Sequence, residues 1–320
     1  MEMLSIRKED NNTVCGNKNV VTLTRSDIYR GHLLLVNRNH AIRQMEGSLE
    51  LHAIDNLHVF DTKRESMRLE KTCLKQLTAL LEACNGTQDI LVVSGYRSQD
   101  EQTELYEASL RENGAAFTSS YVARPGESEH QTGLAVDVGQ RTEEVDYICP
   151  SFPDTGACQD FKQLAALYGF IQRYKESKEA ITNIAAEPWH FRYVGYPHSA
   201  IMEECEWCLE EYIEHVKQYQ VHQKQAYVED KNGRKTIEIY YVPIFQDIAC
   251  IEVPNGTPYT VSGDNQDGCI ITVYHDKGSL EKRKHVSSEN EHMDLHYAPL
   301  SDYYRSRNSQ IQWAESYDGR

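Results

Sequence analysis

SEHQTGLAVDVG, residues 128–139, is the stretch from which the rest of this chain is read. Its second half, LAVDVG, is a short apolar run rich in valine and bounded by glycine, the pattern of a buried strand. His130 lies on the approach to that strand and Asp137 sits within it. One predicted element therefore carries two groups of metal-ligating type.

A second string, EPWHFRYVG at 187–195, is aromatic and β-prone and supplies another imidazole, His190. Two imidazoles and a carboxylate make a three-ligand set, with a fourth tetrahedral place open to water. That is the arrangement of a catalytic zinc; structural sites use four protein ligands, usually with thiolates, and no thiol neighbours these motifs. Glu187 has the right chemistry for a general base, because zinc brings a bound water to a pKa of about 7 and a nearby carboxylate can take the proton. The spacing works against this role. Pro188 biases Glu187 toward extended backbone, and strand positions three apart point to opposite faces, so Glu187 and His190 converge only if the segment twists or bends.

Outward from these strings, helices and strands interleave. Met67, Leu74, Leu77, Leu81 and Cys84 recur at helical spacing, with Gly86 as the expected C′ stop. ILVVS at 90–94 reads as a buried strand, and Gln99 to Asn113 as a helix ended by Gly114. Asp160 to Tyr168 is a short predicted helix closed by Gly169, FIQRY a strand, and His198 to Tyr219 one long helix. This is an α+β order. From 221 the pattern turns all-β, with a hairpin signal at Asn232-Gly233 and further short strands in DIACIEVP, PYTVSG and GCIITVYH. The expected division is a lead-in at 1–40 that joins the main core, a catalytic domain at 41–220, a small β-rich accessory domain at 221–277, and a polar tail at 278–320 that is poorly ordered. A chain ending near Tyr219 is expected to fold without the β module.

A formal net charge of -16 excludes nucleic acid and anionic lipid as partners. No stretch approaches the ~20 apolar residues of a membrane span. The N-terminal MEMLSIRKEDNNTV lacks an apolar signal region, and nine scattered cysteines fit reduced thiols, so the expected location is cytoplasmic. Cys205 and Cys208 form a C-x-x-C on an apolar helical stripe and read as core. His292 and His296 fall in the polar tail and read as solvated. The glycosylation patterns at Asn85 and Asn255 are explained by Asn-Gly turns.

SGYRSQDEQTELY, RPGESEHQTGLAVDVG and EPWHFRYVGYPHS together resemble the zinc D-Ala-D-Ala peptidases of the VanX, VanY and VanXY type, most closely VanXY. The likeness covers roughly residues 41–218. The pattern S-x-H-x-x-G-x-A-x-D is met by Ser128, His130, Gly133, Ala135 and Asp137, and E-x-W-H by Glu187, Trp189 and His190. The resemblance implies an antiparallel sheet with flanking helices, Zn2+ on His130, Asp137 and His190, and Glu187 as base. It further implies Arg97 on the substrate and the transition-state oxyanion, and Ser128 and Gln102 at the terminal carboxylate. The implied substrate is D-Ala-D-Ala, free or at the end of a cell-wall peptide, whose loss would remove vancomycin's target. A free dipeptide brings an ammonium that needs an acid; Glu127, Glu129 and Asp146 lie near the motifs, and nothing in the sequence selects one. An L,D-carboxypeptidase, a wall endopeptidase on the same scaffold and a zinc-bearing binding module without turnover stand as alternatives, Glu187 arguing against the last.

Overall fold

The computed structural model describes residues 14–15, 18–43, 49–54, 67–220, 226–229 and 235–276. Two compact units emerge. One comprises residues 29–214 together with 263–266; the other comprises 1–28, 215–262 and 267–320.

The first unit is built on a four-stranded antiparallel sheet in the order Ile90–Ser94, Ala135–Gln140, Glu187–Tyr193, Phe170–Tyr174. The α+β class with an antiparallel sheet and flanking helices is thus the observed one. Side chains alternate between the faces of these strands. Phe191 packs edge-on against Phe152 and Phe161, with ring centroids 5.8 and 4.9 Å away, while its neighbour His190 faces the opposite side. Phe161 comes from the helix Gly156–Leu164, which packs against the helix Lys71–Ala83.

Several helix boundaries differ from expectation: the helix expected at Asp160–Tyr168 runs Gly156–Leu164 with a 3-10 turn after it, and the others differ for local reasons. The first helix begins at Lys71 because Arg68–Glu70 pairs as a strand with Leu51–Ala53, and Glu70 Oε2 then accepts from the amides of Thr72 and Cys73 at 2.8 and 2.9 Å. Its left-handed terminal residue is Asn85 (φ 52°), not Gly86. Gly86 is needed for space, since a Cβ there would lie 2.6 Å from Ile90 Cδ1. Gly114 does not end the helix Gln99–Tyr121 but kinks it, at φ 79° and ψ 169°. The two halves stay joined because Thr118 Oγ1 donates to the Gly114 carbonyl and meets Ser109 Oγ at 2.8 Å. The expected long helix is two, His198–Glu204 and Leu209–Val216. Glu206 turns left-handed (φ 54°), the Trp207 amide closes on Met202 O, and Glu211 accepts from the Cys208 amide to start the second helix. The apolar stripe continues across the break, which is why periodicity alone reads it as one element.

In the other unit a four-stranded antiparallel sheet runs Tyr259–Gly263, Gly268–Asp276, Lys235–Pro243, Ala226–Glu229. The hairpin pairing agrees with the sequence, although Asn232-Gly233 itself lies outside the described residues, as does the tail from 277. Ile248–Pro254 leaves this sheet and pairs with Lys18–Thr24. Residues 1–40, read from sequence as one lead-in to the main core, therefore divide between the units after Ile28. Leu33, Leu34, Leu35 and Val36 are buried in the first unit. There the turn 263–266 serves as a clasp, with Asn265 Nδ2 donating to the carbonyls of Leu35 and Ala41 at 3.0 and 3.1 Å. Among the described residues no helix is long and apolar enough to cross a membrane.

Candidate active site

Sheet register makes the site. Asp137 stands directly opposite His190 on one neighbouring strand and opposite Ser94 on the other. His130 arrives from the short 3-10 turn Glu129–Thr132, which ends at Gly133 in the left-handed region (φ 71°). A Cβ at Gly133 would fall 2.8 Å from Leu51 Cδ2 and 3.1 Å from the Glu70 amide, so the turn can be this tight only with glycine.

The two imidazoles are aimed by their outer nitrogens. His130 Nδ1 donates to the Gly95 carbonyl at 2.6 Å, which leaves Nε2 facing Asp137 Oδ2 at 3.1 Å. His190 presents Nδ1 to Asp137 Oδ1 at 2.9 Å, while its Nε2 faces Glu129 Oε2 at 3.5 Å. One ligating atom from each of His130, Asp137 and His190 lies within 4.8 Å of the others. Ligand histidines ordinarily hand their other N–H to a carbonyl or carboxylate, as His130 does here, while His190 Nε2 only faces the Glu129 carboxylate at 3.5 Å. A cluster whose lone pairs converge needs a proton or a cation among them. In the metal-free protein it is a proton: burial opposes charge on His190, yet hydrogen bonds to Asp137 and Glu129 raise it to about 9. Burial likewise disfavours the Asp137 anion, but the two histidines hold its carboxyl well below the usual range. Two nitrogens and a carboxylate oxygen suit zinc.

Glu187 does reach His190, and the strand bends to allow it. Gln172 pairs with Phe191 but Tyr174 pairs with Glu187, so two extra residues bulge on the Glu187–Tyr193 strand. Bulges re-aim side chains in this way. Glu187 Oε2 ends 3.7 Å from His190 Nδ1 and only 5 % exposed. Burial pushes its carboxyl up to about 8, against the pull of His190 and with the push of Asp137.

These groups line a cleft of about 290 Å³ that also takes in Arg97, Ser128, Gln102, Tyr147 and Trp189. Arg97 precedes the helix Gln99–Tyr121, whose start is fixed by a Ser98–Glu101 capping box. Its charge favours the ionised form of Glu187. Ser128 is buried beside His130. Gln102 differs from the expected carboxylate contact. Its amide group donates to Ala123 O at 2.7 Å, and the atom left buried without a hydrogen-bond partner is the acceptor Oε1. As oriented, an acceptor suits a substrate N–H better than a carboxylate. Of the acids near the motifs, Asp146 is spent on the amides of Ile148 and Cys149, and Glu129 is enclosed.

Sequence reasoning missed the charges behind the ligands. Arg173 and Arg192, on apolar-looking strands, are fully buried and both bond Glu129. An arginine inside a buried run was itself the signal, since such a charge needs a buried partner.

A family model described as "VanY: D-alanyl-D-alanine carboxypeptidase" matches residues 66–196. The bifunctional D-Ala-D-Ala dipeptidase and D-Ala-D-Ala carboxypeptidase VanXYC of Enterococcus gallinarum is 43% identical over 187 residues, 58% of this chain and 95% of that protein. A D-alanyl-D-alanine carboxypeptidase of Enterococcus faecium is 32% identical over 271 residues, 83% of this chain and 82% of that one. Among solved structures, the vancomycin resistance D,D-dipeptidase VanXYg in complex with a D-Ala-D-Ala phosphinate analog superposes with a TM-score of 0.75 at 41% identity, covering 81% of this chain and all of that one.

Proposed function

The chain belongs to the VanY family of D-alanyl-D-alanine carboxypeptidases, and from that membership we propose that it hydrolyses the terminal D-Ala-D-Ala bond of cell-wall peptides and of the free dipeptide, with zinc held by His130, Asp137 and His190. The observation that carries this reading is the convergence of those three donors within 4.8 Å, with Glu187 beside them in one cleft. Zinc bound there would supply Lewis-acid polarisation of the scissile carbonyl and lower the pKa of a water to about 7. Glu187 accepts the proton of the attacking water and returns it to the departing amino group of D-alanine, a role for which its burial beside cationic groups suits it. Arg97 supplies donors to the carbonyl oxygen as it gains charge. Trp189 and Tyr147 wall the cleft and limit water.

Substrate length follows from the acids of the cleft. Outside the proposed ligands and base, Glu129 is neutralised by arginines, and Glu101 stands at the exposed rim. A free dipeptide ammonium thus meets only a solvated acid, whereas a longer peptide brings no charge there. Both substrates are accepted on this reading, and a D-Ala-D-lactate end, which lacks the amide, is largely spared. In a cell whose precursors end in D-Ala-D-lactate or D-Ala-D-Ser, this activity removes vancomycin's target. The test is metal analysis of the purified protein together with kcat/KM for D-Ala-D-Ala, the UDP-linked pentapeptide, the tetrapeptide and D-Ala-D-lactate ends. One zinc per chain and cleavage of D-Ala-D-Ala ends are expected; cleavage of the tetrapeptide alone would move the enzyme to L,D-carboxypeptidase chemistry.

A further inference from the structure

Behind the proposed ligands lies a chain of charges that the hydrolytic mechanism does not use. The side chains of Glu129, Arg173 and Arg192 have no exposure, and that of Glu210 is 14 % exposed. Their bonds divide the two oxygens of Glu129 between two tasks. Oε1 accepts from Arg173 Nε at 2.9 Å and from an Arg192 terminal nitrogen at 2.8 Å. Oε2 takes neither guanidinium and faces His190 Nε2 at 3.5 Å. The outer end of Arg173 is clamped in turn by both oxygens of Glu210, at 2.9 and 2.6 Å, and Asn37 Nδ2 donates to Glu210 at 3.1 Å. Arg192 spends its other donors on the carbonyls of His32, Leu34 and Tyr193.

From this geometry we propose that Glu129, Arg173 and Glu210 are positioning residues that hold the His190 ring with Nε2 against Glu129 and Nδ1 toward the metal position. The proposal rests on the zinc reading above and goes beyond it. His130 needs no such device, because the Gly95 carbonyl can only accept and fixes that ring by itself. His190 has carboxylates on both sides, Asp137 at Nδ1 and Glu129 at Nε2, and with a metal at Nδ1 Glu129 is the acceptor left for the remaining N–H. Oε2, buried and kept off the two guanidiniums, is the oxygen that faces Nε2. Arg173 must therefore stay on Oε1, and its bidentate clamp by Glu210 is what holds it there. Asn37 and Glu210 lie outside residues 66–196, so the metal position is braced by parts of the chain beyond the segment that matches the family model.

Glu129→Gln tests this with a specific signature. Both guanidiniums are donors, so the glutamine oxygen must stay with them and its NH2 must face His190. A donor then faces the Nε2–H that a metal at Nδ1 requires, and the ring loses its seat. In the 15N-histidine spectrum of the zinc-loaded protein, the His190 Nε2–H signal should shift and exchange faster, while His130 keeps its Nδ1–H pattern. Affinity for Zn2+ alone, measured against a chromophoric chelator, should fall about 10–100-fold, the usual effect of losing an outer-shell partner. Glu210→Gln, which loosens the clamp on Arg173 without altering Glu129 itself, should weaken zinc less and in the same direction, with the metal-free melting temperature showing that the fold persists. Wild-type zinc affinity in either folded variant overturns the proposal, as does weaker binding in Glu129→Gln with the His190 Nε2–H signal of the zinc-loaded protein unchanged. If the wild-type chain itself bound no zinc, the zinc reading would fail instead, so the two failures are distinguishable.

Discussion

Replacing Glu187 by glutamine separates catalysis from metal binding, and the structure sets the size of both effects. The carboxylate lies 3.7 Å from His190 Nδ1 and is not one of the three converging donors, so the variant should keep about one zinc per chain. Losing a positioned general base costs roughly 10²–10⁴ in turnover, which at about 1.4 kcal/mol per decade is about 3–5 kcal/mol of barrier. Stability should move the other way. Burial raises the Glu187 carboxyl from 4.5 to about 8, so above pH 4.5 the unfolded metal-free chain releases a proton that the folded one retains. The resulting penalty accumulates at about 1.4 kcal/mol for each pH unit above 4.5, so at pH 7 the buried carboxyl destabilises the metal-free protein by about 3 kcal/mol. It is absent below pH 4.5, grows as pH rises and levels off above 8. Glutamine removes it. Single-turnover rates, metal content and urea unfolding of the chelated proteins at pH 4.5 and 7 measure all three quantities. A glutamine variant with wild-type turnover would refute the role of base, and equal unfolding free energies at pH 7 would refute the account of its burial.

Other substitutions probe the surrounding parts. Arg97→Lys should lower kcat by one to two decades with a smaller change in KM, because an ammonium cannot reproduce the planar fork, a charged hydrogen bond being worth about 1.5–3 kcal/mol; a change in KM alone would make Arg97 a ground-state anchor. His198 is buried against the Tyr212 hydroxyl at 2.6 Å, and burial lowers it to about 3. The unfolded chain therefore binds a proton the native one refuses, so stability falls below pH 6.5 by about 1.4 kcal/mol per pH unit, a slope that should shrink in His198→Gln urea titrations. Asn265→Ala removes donors to Leu35 and Ala41 and should cost about 2 kcal/mol at roughly 1 kcal/mol per bond. The same clasp is lost in a chain ending at Tyr219, which should therefore fold but melt earlier than the full chain; equal melting temperatures would show that the turn 263–266 contributes nothing to the first unit.

The local code was plain wherever neighbours in sequence are neighbours in the element. ILVVS and FIQRY are strands with the bounds read from their apolar runs, and the motif spacing named His130, Asp137, His190 and Glu187 before any strand was paired. Periodicity took Gly114 for an end where the helix resumes beyond it, and could not see the break at Glu206, where the apolar stripe continues across the turn. Nor could it see that Glu187 and His190 share a face, since that follows from a two-residue bulge that exists only between paired strands.

Sequence by itself therefore determined the chemistry on offer: the donor set, the acid beside it, and the buried strands that carry them. Tertiary structure decided how those groups are aimed. Pairing register sets Asp137 against His190, a bulge turns Glu187 inward, and Glu129, Arg173 and Glu210, 81 positions apart from first to last, meet as one charge network. The physical reason is that buried charges are settled by partners brought from elsewhere in the chain, and no local pattern records which partners those will be.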